Sequence, residues 1–285
     1  MPELKNTIII HTTEEMRAFS AEAKAQNSTL GLVPTMGALH AGHLSLIKRS
    51  VSENDLTVVS IFVNPIQFDD KADLAAYPNT LSSDSDLASL EGTDVIFAPA
   101  ADHMYPEGFS TYVDMTGISE KLCGLSRESH FKGVLTVVNK LFNICDPDRA
   151  YFGEKDMQQL LVVEKMVSEL CMDIEIVRCP TVREEDGLAM SSRNKRLSNE
   201  ERKAAGFLYR ALTAAKALFG DGEKSPAKLT LAMQNILNKE PLIRIDYAEL
   251  VGSADFETPE TAKAGGLLML AVYIGDVRLI DNMRL

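Results

Sequence analysis

Two histidines lie three positions apart in a glycine-containing segment that could bind phosphate. His40 and His43 belong to the run PTMGALHAGH at residues 34–43, which follows a β-branched run and precedes a helical pattern. Gly37 and Gly42 allow the backbone to approach a ligand closely. Phosphate binds at helix N-termini, where N–H groups are unpaired, and imidazole nitrogens also donate to it. This order of features favours a phosphate site over two unrelated histidines at a helix start.

The histidine segment differs from two common nucleotide-binding motifs. No Lys-Ser/Thr pair follows the glycines, so it is not a Walker A loop, and the glycine spacing is not GxGxxG. It has instead the HxGH form of the signature of α/β enzymes that transfer nucleotidyl groups. Enzymes of that class transfer a nucleotidyl group to a substrate. The substrate attacks the α-phosphorus of the nucleotide, and pyrophosphate is the leaving group.

Side-chain amides follow the next apolar run of the sequence. Asn64 and Gln67 come directly after TVVSIFV at residues 57–63. Ligands of open α/β sheets bind beyond the carboxyl ends of the strands, and amides suit substrate hydroxyls and carboxylates. A polar loop with a proline turn explains the same residues equally well, so this segment alone leaves both interpretations open.

Two further segments carry cations beside small or polar residues. Gly153 permits a tight turn before Lys155, a point charge for phosphates, and Asp156, which could hold a ribose hydroxyl or orient Mg²⁺. At residues 190–194, two serine hydroxyls and the Arg193 guanidinium suit triphosphate oxygens. Each segment alone is typical of an ordinary polar loop. Together with the histidines and amides, they supply the parts of a nucleotide site.

The elements that would position these residues alternate between strands and helices. Continuous apolar runs are typical of parallel sheets, whose two faces are both buried. A capping-box spacing at Thr12 and Glu15 predicts the start of the first helix. The alternation predicts a parallel α/β sheet with right-handed crossovers, with strands at residues 7–10, 30–33, 57–63, 95–98, 150–152 and 174–179 and helices at residues 44–51, 81–90, 133–144 and 157–170.

The pattern changes after about residue 185 toward two helices and an antiparallel sheet. A second capping box, Ser198 with Glu201, predicts a helix to about residue 219, and Ser225-Pro226 predicts the start of another. Gly275-Asp276 predicts a two-residue hairpin between the last two of three strands, at residues 243–251, 267–274 and 277–281. We therefore predict an α/β domain at residues 1–185 and a smaller α+β domain at residues 186–285.

Composition narrows the possible partners. The 285 residues include 41 acidic and 29 basic ones, for a net charge of −12. Residues 1–187 carry 29 of the acidic and 15 of the basic side chains, so they lack the basic surface that nucleic-acid binding requires. The four cysteines form no CxxC pair and suit a reducing compartment. With no 18-residue apolar run and no signal peptide, we expect a cytoplasmic protein without a membrane span.

The sequence closely resembles the pantothenate synthetase family, whose members are pantoate–β-alanine ligases. The resemblance implies a Rossmann-like N-terminal domain, a C-terminal lid and a homodimer. One departure is Asn79, where relatives often have a basic residue. The resemblance covers nearly the whole chain, in family order, and its blocks are PTMGALHAGH (34–43), FVNPIQF (62–68), YPNT (77–80), HFKGVLTVVNKLFN (130–143), YFGEKDMQQL (151–160), DGLAMSSRN (186–194) and GDVRLIDN (275–282).

The resemblance implies a two-step ligation in pantothenate and coenzyme A biosynthesis. The carboxylate of pantoate attacks the α-phosphorus of MgATP, which gives pantoyl adenylate and pyrophosphate. The amine of β-alanine then attacks this mixed anhydride and releases pantothenate and AMP. ATP is therefore expected as a co-substrate, together with Mg²⁺. The Mg²⁺ ligands and the base that deprotonates β-alanine stay open.

The resemblance also assigns residues to roles. It places His43 in the proton-donor position and gives catalytic roles to His40 and Lys155 as well. It assigns ATP contacts to Met36, Gly37, Ala38, Leu39, His40, Ala41, Gly42, His43, Gly153, Glu154, Lys155, Asp156, Val182, Met190, Ser191, Ser192 and Arg193. It assigns the pantoate and β-alanine contacts, including apolar walls for the gem-dimethyl group of pantoate, to Gln67, Gln159, Asn64, Met36, Phe68, Val137 and Val138.

Two other functions share part of this pattern. A fragment of an aminoacyl-tRNA synthetase has the same histidine signature, but the acidic N-terminal part argues against tRNA as a partner. Residues 190–194 also carry one arginine where synthetases typically have lysines. A nucleotide sensor would not need Gln67 and Gln159 to hold a second substrate. Conversion of ATP to AMP only when pantoate and β-alanine are both present would distinguish a ligase from either alternative.

Overall fold

The computed structural model describes residues 7–69, 74–75 and 77–285, and the chain forms two compact units. The first unit comprises the described residues up to Ser119, together with Gly124–Glu154 and Gln158–Pro180. The second comprises Glu120–Cys123, Lys155–Met157 and Thr181–Leu285. The segment that carries Lys155 thus groups with the C-terminal part of the chain. The domain limits 1–185 and 186–285 stay a prediction.

A six-stranded parallel sheet forms the centre of the first unit and confirms the predicted α/β class. Its strands are β1 (Ile8–Ile10), β2 (Leu30–Thr35), β3 (Leu56–Ile61), β4 (Val95–Phe97), β5 (Arg149–Gly153) and β6 (Glu175–Cys179). Their spatial order is β1-β4-β3-β2-β5-β6, and every neighbouring pair is parallel. Leu32, Val58 and Ile96 are fully buried, as the continuous apolar runs predict for a sheet covered on both faces.

Helices connect these strands along the N-terminal part of the chain. They are α1 (Thr13–Ala25), α2 (Ala41–Glu53), α3 (Leu81–Leu90), α4 (Ala101–Met104), α5 (Cys123–Ser126), α6 (His130–Cys145) and α7 (Met157–Glu169). The hydroxyl of Thr12 accepts a hydrogen bond from the backbone N–H of Glu15, which confirms the predicted start of α1. The four-residue helices α4 and α5 were not predicted, because one turn is too short for apolar periodicity to appear.

The strand order reverses at β2, and this reversal positions the predicted segments. Strand β2 pairs with β3 on one side and with β5 on the other. In sheets of this kind, ligands bind beyond the carboxyl ends of the strands, next to the reversal. The predicted phosphate segment leaves β2 at Met36, the amide segment follows β3, and Gly153 ends β5. The topology therefore brings these three segments of the sequence to one edge of the sheet.

The second unit contains two helices and an antiparallel sheet, which confirms the predicted α+β architecture. Its elements are α8 (Asn199–Gly220), α9 (Pro226–Leu237), β7 (Ile243–Val251), β8 (Leu267–Ile274) and β9 (Val277–Arg284). Ser198 and Glu201 exchange the two hydrogen bonds of a capping box. The hairpin between β8 and β9 turns at Gly275, whose φ of +55° suits glycine. Leu208, Leu229 and Leu270 are fully buried in the core that joins helices and sheet.

The length and polarity of the helices also bear on membrane insertion. Within residues 7–69, 74–75 and 77–285, no helix is both long and apolar enough to cross a membrane.

Candidate functional site

The two histidines form a reciprocal cap at the start of α2. The Nδ1 atom of His40 accepts a hydrogen bond from the backbone N–H of Gly42, with an N–N distance of 3.1 Å. The Nδ1 atom of His43 accepts one from the backbone N–H of His40, at 3.3 Å. A neutral imidazole that accepts at Nδ1 carries its proton on Nε2. With ring centroids 4.1 Å apart, the pair presents two neighbouring Nε2–H donors.

A buried carboxylate holds the loop between β2 and these histidines. Asp84 of α3 is 2% exposed, and its oxygens accept the backbone N–H groups of Ala38 and Leu39, both at 2.8 Å. The hydroxyl of Thr80 donates to the same carboxylate at 2.9 Å. Gly37 has a φ of +84°, and a Cβ there would lie 2.9 Å from Asp84 Oδ2. These two N–H groups, in the segment that the resemblance assigns to ATP, bind Asp84, which fixes the backbone of the loop.

Buried amides form the second part of the site, in the loop that follows β3. Asn64 is 1% exposed, and its Nδ2 donates to Gln67 Oε1 at 2.9 Å and to the backbone oxygen of Gly133 at 3.0 Å. The hydroxyl of Tyr105 donates to Asn64 Oδ1 at 2.8 Å. Gln67 Nε2 lies 3.1 Å from the sulfur of Met36, so the loop after β3 touches the loop after β2.

Helix α6 holds the backbone of Gln67 from the other side. A Cβ at Gly133 would lie 2.6 Å from the Cα of Gln67, so only glycine permits this close approach. The backbone oxygen of Gln67 accepts from Arg127 Nη2 at 3.2 Å and lies 3.1 Å from Nδ1 of the buried His130. Tyr105, Gly133, His130 and Asp84 had no predicted role, and all four support predicted site residues.

The other predicted pantoate residues in the first unit are mostly apolar and lie on helices or beside the amide loop. Val137 and Val138 are buried on α6 at 7% and 4% exposure. The ring of Phe68 makes an edge contact with Tyr77, with centroids 5.9 Å apart. Gln159 is half-buried in α7. Their contacts with pantoate stay a prediction.

Lys155 and Asp156 lie in a 3-10 helix directly after β5. Their side chains form an ion pair with an Nζ–O distance of 3.7 Å. Asn282 of β9 donates from Nδ2 to the backbone oxygen of Lys155 at 2.8 Å. Burial raises the pKa of Asp281, which precedes Asn282 in β9. Arg183 counteracts part of this rise, because its Nη1 and Nη2 donate to the Asp281 carboxylate at 2.6 and 2.9 Å. A C-terminal strand therefore holds the backbone of the predicted phosphate-binding lysine.

The remaining predicted ATP residues belong to the second unit and form a short, ordered turn. The backbone N–H of Met190 donates to the oxygen of Val182 at 3.0 Å. The hydroxyl of Ser191 accepts from the N–H of Arg193 at 3.2 Å and begins a 3-10 helix at Ser192. All are half-buried. Hydrogen bonds within the segment thus give the two hydroxyls and the guanidinium a defined backbone.

Across the part of the chain that the structure describes, no three His, Cys, Asp or Glu residues cluster in a way that could hold a metal ion.

Sequence comparison shows similarity to one family over almost the whole chain. The family model described as pantoate-beta-alanine ligase matches residues 8–284. The pantothenate synthetase of Caldicellulosiruptor saccharolyticus is 50% identical over 276 residues, which cover 97% of this chain and 98% of that protein. The pantothenate synthetase of Carboxydothermus hydrogenoformans is 51% identical over 268 residues, which cover 94% and 95%.

Comparison with solved structures gives the same similarity in three dimensions. The crystal structure of pantothenate synthetase from Thermus thermophilus aligns with a TM-score of 0.93 and 44% identity, covering 97% of this chain and 99% of that one. The pantoate-beta-alanine ligase of Francisella tularensis, complexed with beta-gamma ATP and beta-alanine, aligns with a TM-score of 0.81 and 35% identity. That alignment covers 98% of this chain and 97% of the other.

Proposed function

The chain belongs to the pantoate–β-alanine ligase family, and we propose that it makes pantothenate in two steps through a pantoyl adenylate. In the first step, a carboxylate oxygen of pantoate attacks the α-phosphorus of ATP and pyrophosphate leaves. In the second, the neutral amine of β-alanine attacks the acyl carbon, and AMP leaves as the amide forms. Adenylation is needed because a free carboxylate is a poor electrophile.

The observation that carries this proposal is the histidine pair at the start of α2. Both Nδ1 atoms accept backbone N–H groups, so both neutral rings hold a proton on Nε2. Donors that are fixed before reaction stabilise charge as it develops on a leaving group. We assign His43, with His40 beside it, to the phosphate oxygens of the departing pyrophosphate. Residues 36–42 would then line the ATP side of the loop that Asp84 holds.

The cations and hydroxyls of the later segments complete the proposed ATP contacts. Departing pyrophosphate carries several negative charges. The ammonium group of Lys155 and the guanidinium group of Arg193 are suited to donate hydrogen bonds to its oxygens. The other residues that the resemblance assigns to ATP are proposed to contact it as well, namely Gly153, Glu154, Asp156, Val182, Met190, Ser191 and Ser192. The Francisella tularensis protein, whose crystals contain beta-gamma ATP and beta-alanine, supports ATP and β-alanine as ligands of this chain.

The amide loop is the proposed site for pantoate. Gln67 and Gln159 would bind its polar oxygens, and Gln67 also the β-alanine that attacks next. Met36, Phe68, Val137 and Val138 would contact its gem-dimethyl group. The amide of Asn64 is occupied by Tyr105, Gln67 and Gly133, so we propose that Asn64 contributes to this lining through Gln67.

The proposal extends to the metal, the location and the assembly of the protein. Mg²⁺ would enter with ATP and be held mainly by phosphates and water, as is usual for this ion, and Asp156 would help to orient it. Within the described residues, all four cysteines lie outside disulfide bonds, which supports a cytoplasmic location. Resemblance to the family supports a homodimer.

Product analysis with doubly labelled ATP tests the proposed chemistry. The protein is mixed with pantoate, β-alanine and ATP that carries distinguishable labels on its α- and γ-phosphates. We expect the α-label in AMP and the γ-label in pyrophosphate, in amounts equal to the pantothenate formed. Reactions that lack β-alanine should accumulate at most one adenylate per site. Stoichiometric ADP and inorganic phosphate would instead show an acyl-phosphate route and refute the proposal.

A further inference from the structure

The hydrogen-bonding direction of Asn64 is fixed by a group that can only accept. Its carboxamide lies 3.0 Å from the backbone oxygen of Gly133, and a carbonyl oxygen has no proton to donate. The atom that faces Gly133 must therefore be Nδ2. This contact settles the orientation of the amide, whose oxygen and nitrogen are otherwise hard to tell apart.

Once Asn64 is oriented, Tyr105 must act as a donor. Asn64 Oδ1 faces the hydroxyl of Tyr105 at 2.8 Å, and an oxygen of an amide cannot donate. Burial raises the pKa of the Tyr105 hydroxyl above its usual range, so the hydroxyl keeps its proton. The ring is held between Phe62 and Phe109, with centroid distances of 6.1 and 5.0 Å.

The orientation of the Gln67 amide follows from its contact with Asn64. The second hydrogen of Asn64 Nδ2 points to Gln67 at 2.9 Å, so the atom that receives it is Oε1. Nε2 is then the end of Gln67 that faces Met36, where it lies 3.1 Å from the sulfur. A thioether is a weak acceptor, so a substrate oxygen would replace it readily.

We propose that Tyr105 is a positioning residue that acts through Asn64 to keep Gln67 turned with its Nε2–H toward the substrate. Gln67 then serves as a hydrogen-bond donor and selects an acceptor on pantoate, a carboxylate or hydroxyl oxygen. Without the Tyr105 hydroxyl, Asn64 Oδ1 is left without its donor, and only the contacts with Gly133 and Gln67 still hold the Asn64 amide in place. This inference rests on the proposed function, because it assumes that Gln67 binds pantoate.

Tyr105→Phe removes one hydroxyl and keeps the ring contacts. We expect the KM for pantoate to rise about tenfold, since a buried acceptor loses its partner, while kcat at saturating pantoate changes less than about threefold. Tyr151→Phe is the matched control, because the Tyr151 hydroxyl is also buried and bonded, to Asn54 and Glu53. That variant should keep the KM of the native protein. An unchanged KM in Tyr105→Phe, or an equal rise in Tyr151→Phe, would overturn the proposal.

A double-mutant cycle separates positioning from general loss of packing. In a Gln67→Ala background, Tyr105→Phe should raise the KM for pantoate by less than about twofold, because its effect passes through Gln67. If Tyr105→Phe raises the KM for pantoate by the full tenfold in that background, Tyr105 does not act through Gln67. We refer to this action of Tyr105 on Gln67 through Asn64 as the relay. If Gln67→Ala itself leaves this KM unchanged, the assignment of Gln67 to pantoate is wrong, and the relay falls with it. A rise in Gln67→Ala but none in Tyr105→Phe would overturn the relay alone.

Asn64→Asp provides a second variant should Tyr105→Phe fold poorly. The new carboxylate still accepts from Tyr105 but has no hydrogen to donate to Gln67 or to the backbone oxygen of Gly133. Gln67 should therefore turn its Nε2–H toward the carboxylate and its Oε1 toward the substrate, where a donor is needed. We expect the KM for pantoate to rise at least about tenfold, since an acceptor on the substrate then meets an acceptor on the protein. A native KM in this variant would contradict the proposed direction of the hydrogen bonds.

Discussion

The loops after β2 and β3 meet at Met36 and Gln67 but are held by different means. In the first, backbone N–H groups of Ala38 and Leu39 are fixed by the carboxylate of Asp84. In the second, side-chain amides are fixed by one another and by the hydroxyl of Tyr105. A charged anchor gives a rigid backbone, which suits groups that stabilise developing charge. A chain of amides gives a defined donor direction, which suits recognition of a neutral hydroxyl or a carboxylate.

The largest effect is expected from His43→Ala. Loss of a fixed donor to the leaving pyrophosphate should slow formation of pantoyl adenylate by about 10²–10³-fold, measured in a single turnover with pantoate and ATP. The fold should survive, because His43 is half-buried at a helix start. His103→Ala, at an exposed histidine, is the control and should keep the native rate. A native rate in folded His43→Ala would remove His43 from the mechanism.

Asp84→Asn tests the charged anchor. An amide would turn an N–H group toward a backbone N–H, so we expect a loss of about 1.5–3 kcal/mol in the free energy of unfolding and a higher KM for ATP. Asp86→Asn is the matched control, because Asp86 lies on α3 as well but is exposed. Denaturant unfolding of both variants gives the comparison. If both lose the same small amount, Asp84 does not hold the loop.

A smaller effect is expected from pantoate analogues that lack a hydroxyl. A buried amide left without its partner costs about 1–3 kcal/mol, so the native protein should prefer pantoate over such analogues by about tenfold in kcat/KM. Gln67→Ala and Gln159→Ala should each reduce this preference for the pantoate hydroxyl to which the native glutamine would hydrogen-bond. A preference that stays equal in all three proteins would show that other residues recognise the hydroxyls.

Local patterns in the sequence predicted the elements, because each pattern is complete within a few residues. The helix predicted at residues 81–90 has those limits in the structure, and the hydroxyls of Thr12 and Ser198 supply the predicted N-caps. The parallel direction of the first sheet also followed, since alternation of strand and helix favours it. The predicted end of β9 fell short of Arg284, because the apolar alternation fades into polar residues there.

The supports of the site could not be predicted in the same way. Asp84 lies 46 residues from Ala38, and Tyr105 lies 41 from Asn64, so only the folded sheet brings them together. Gly133 did carry a signal, since a glycine inside a helical pattern often has a packing reason. The roles of the predicted ligand-binding residues stay predictions, because they depend on contacts with ATP, pantoate and β-alanine rather than on contacts within the chain.

Exchange of labelled pyrophosphate into ATP, with pantoate present and β-alanine absent, tests the division of labour between the two loops most directly. The native protein, His43→Ala and Gln67→Ala are compared over a wide range of pantoate concentrations. We predict that His43→Ala exchanges slowly at every concentration, whereas Gln67→Ala approaches the native rate when pantoate saturates. Absence of exchange in the native protein, or equal loss in both variants at saturating pantoate, would contradict the account.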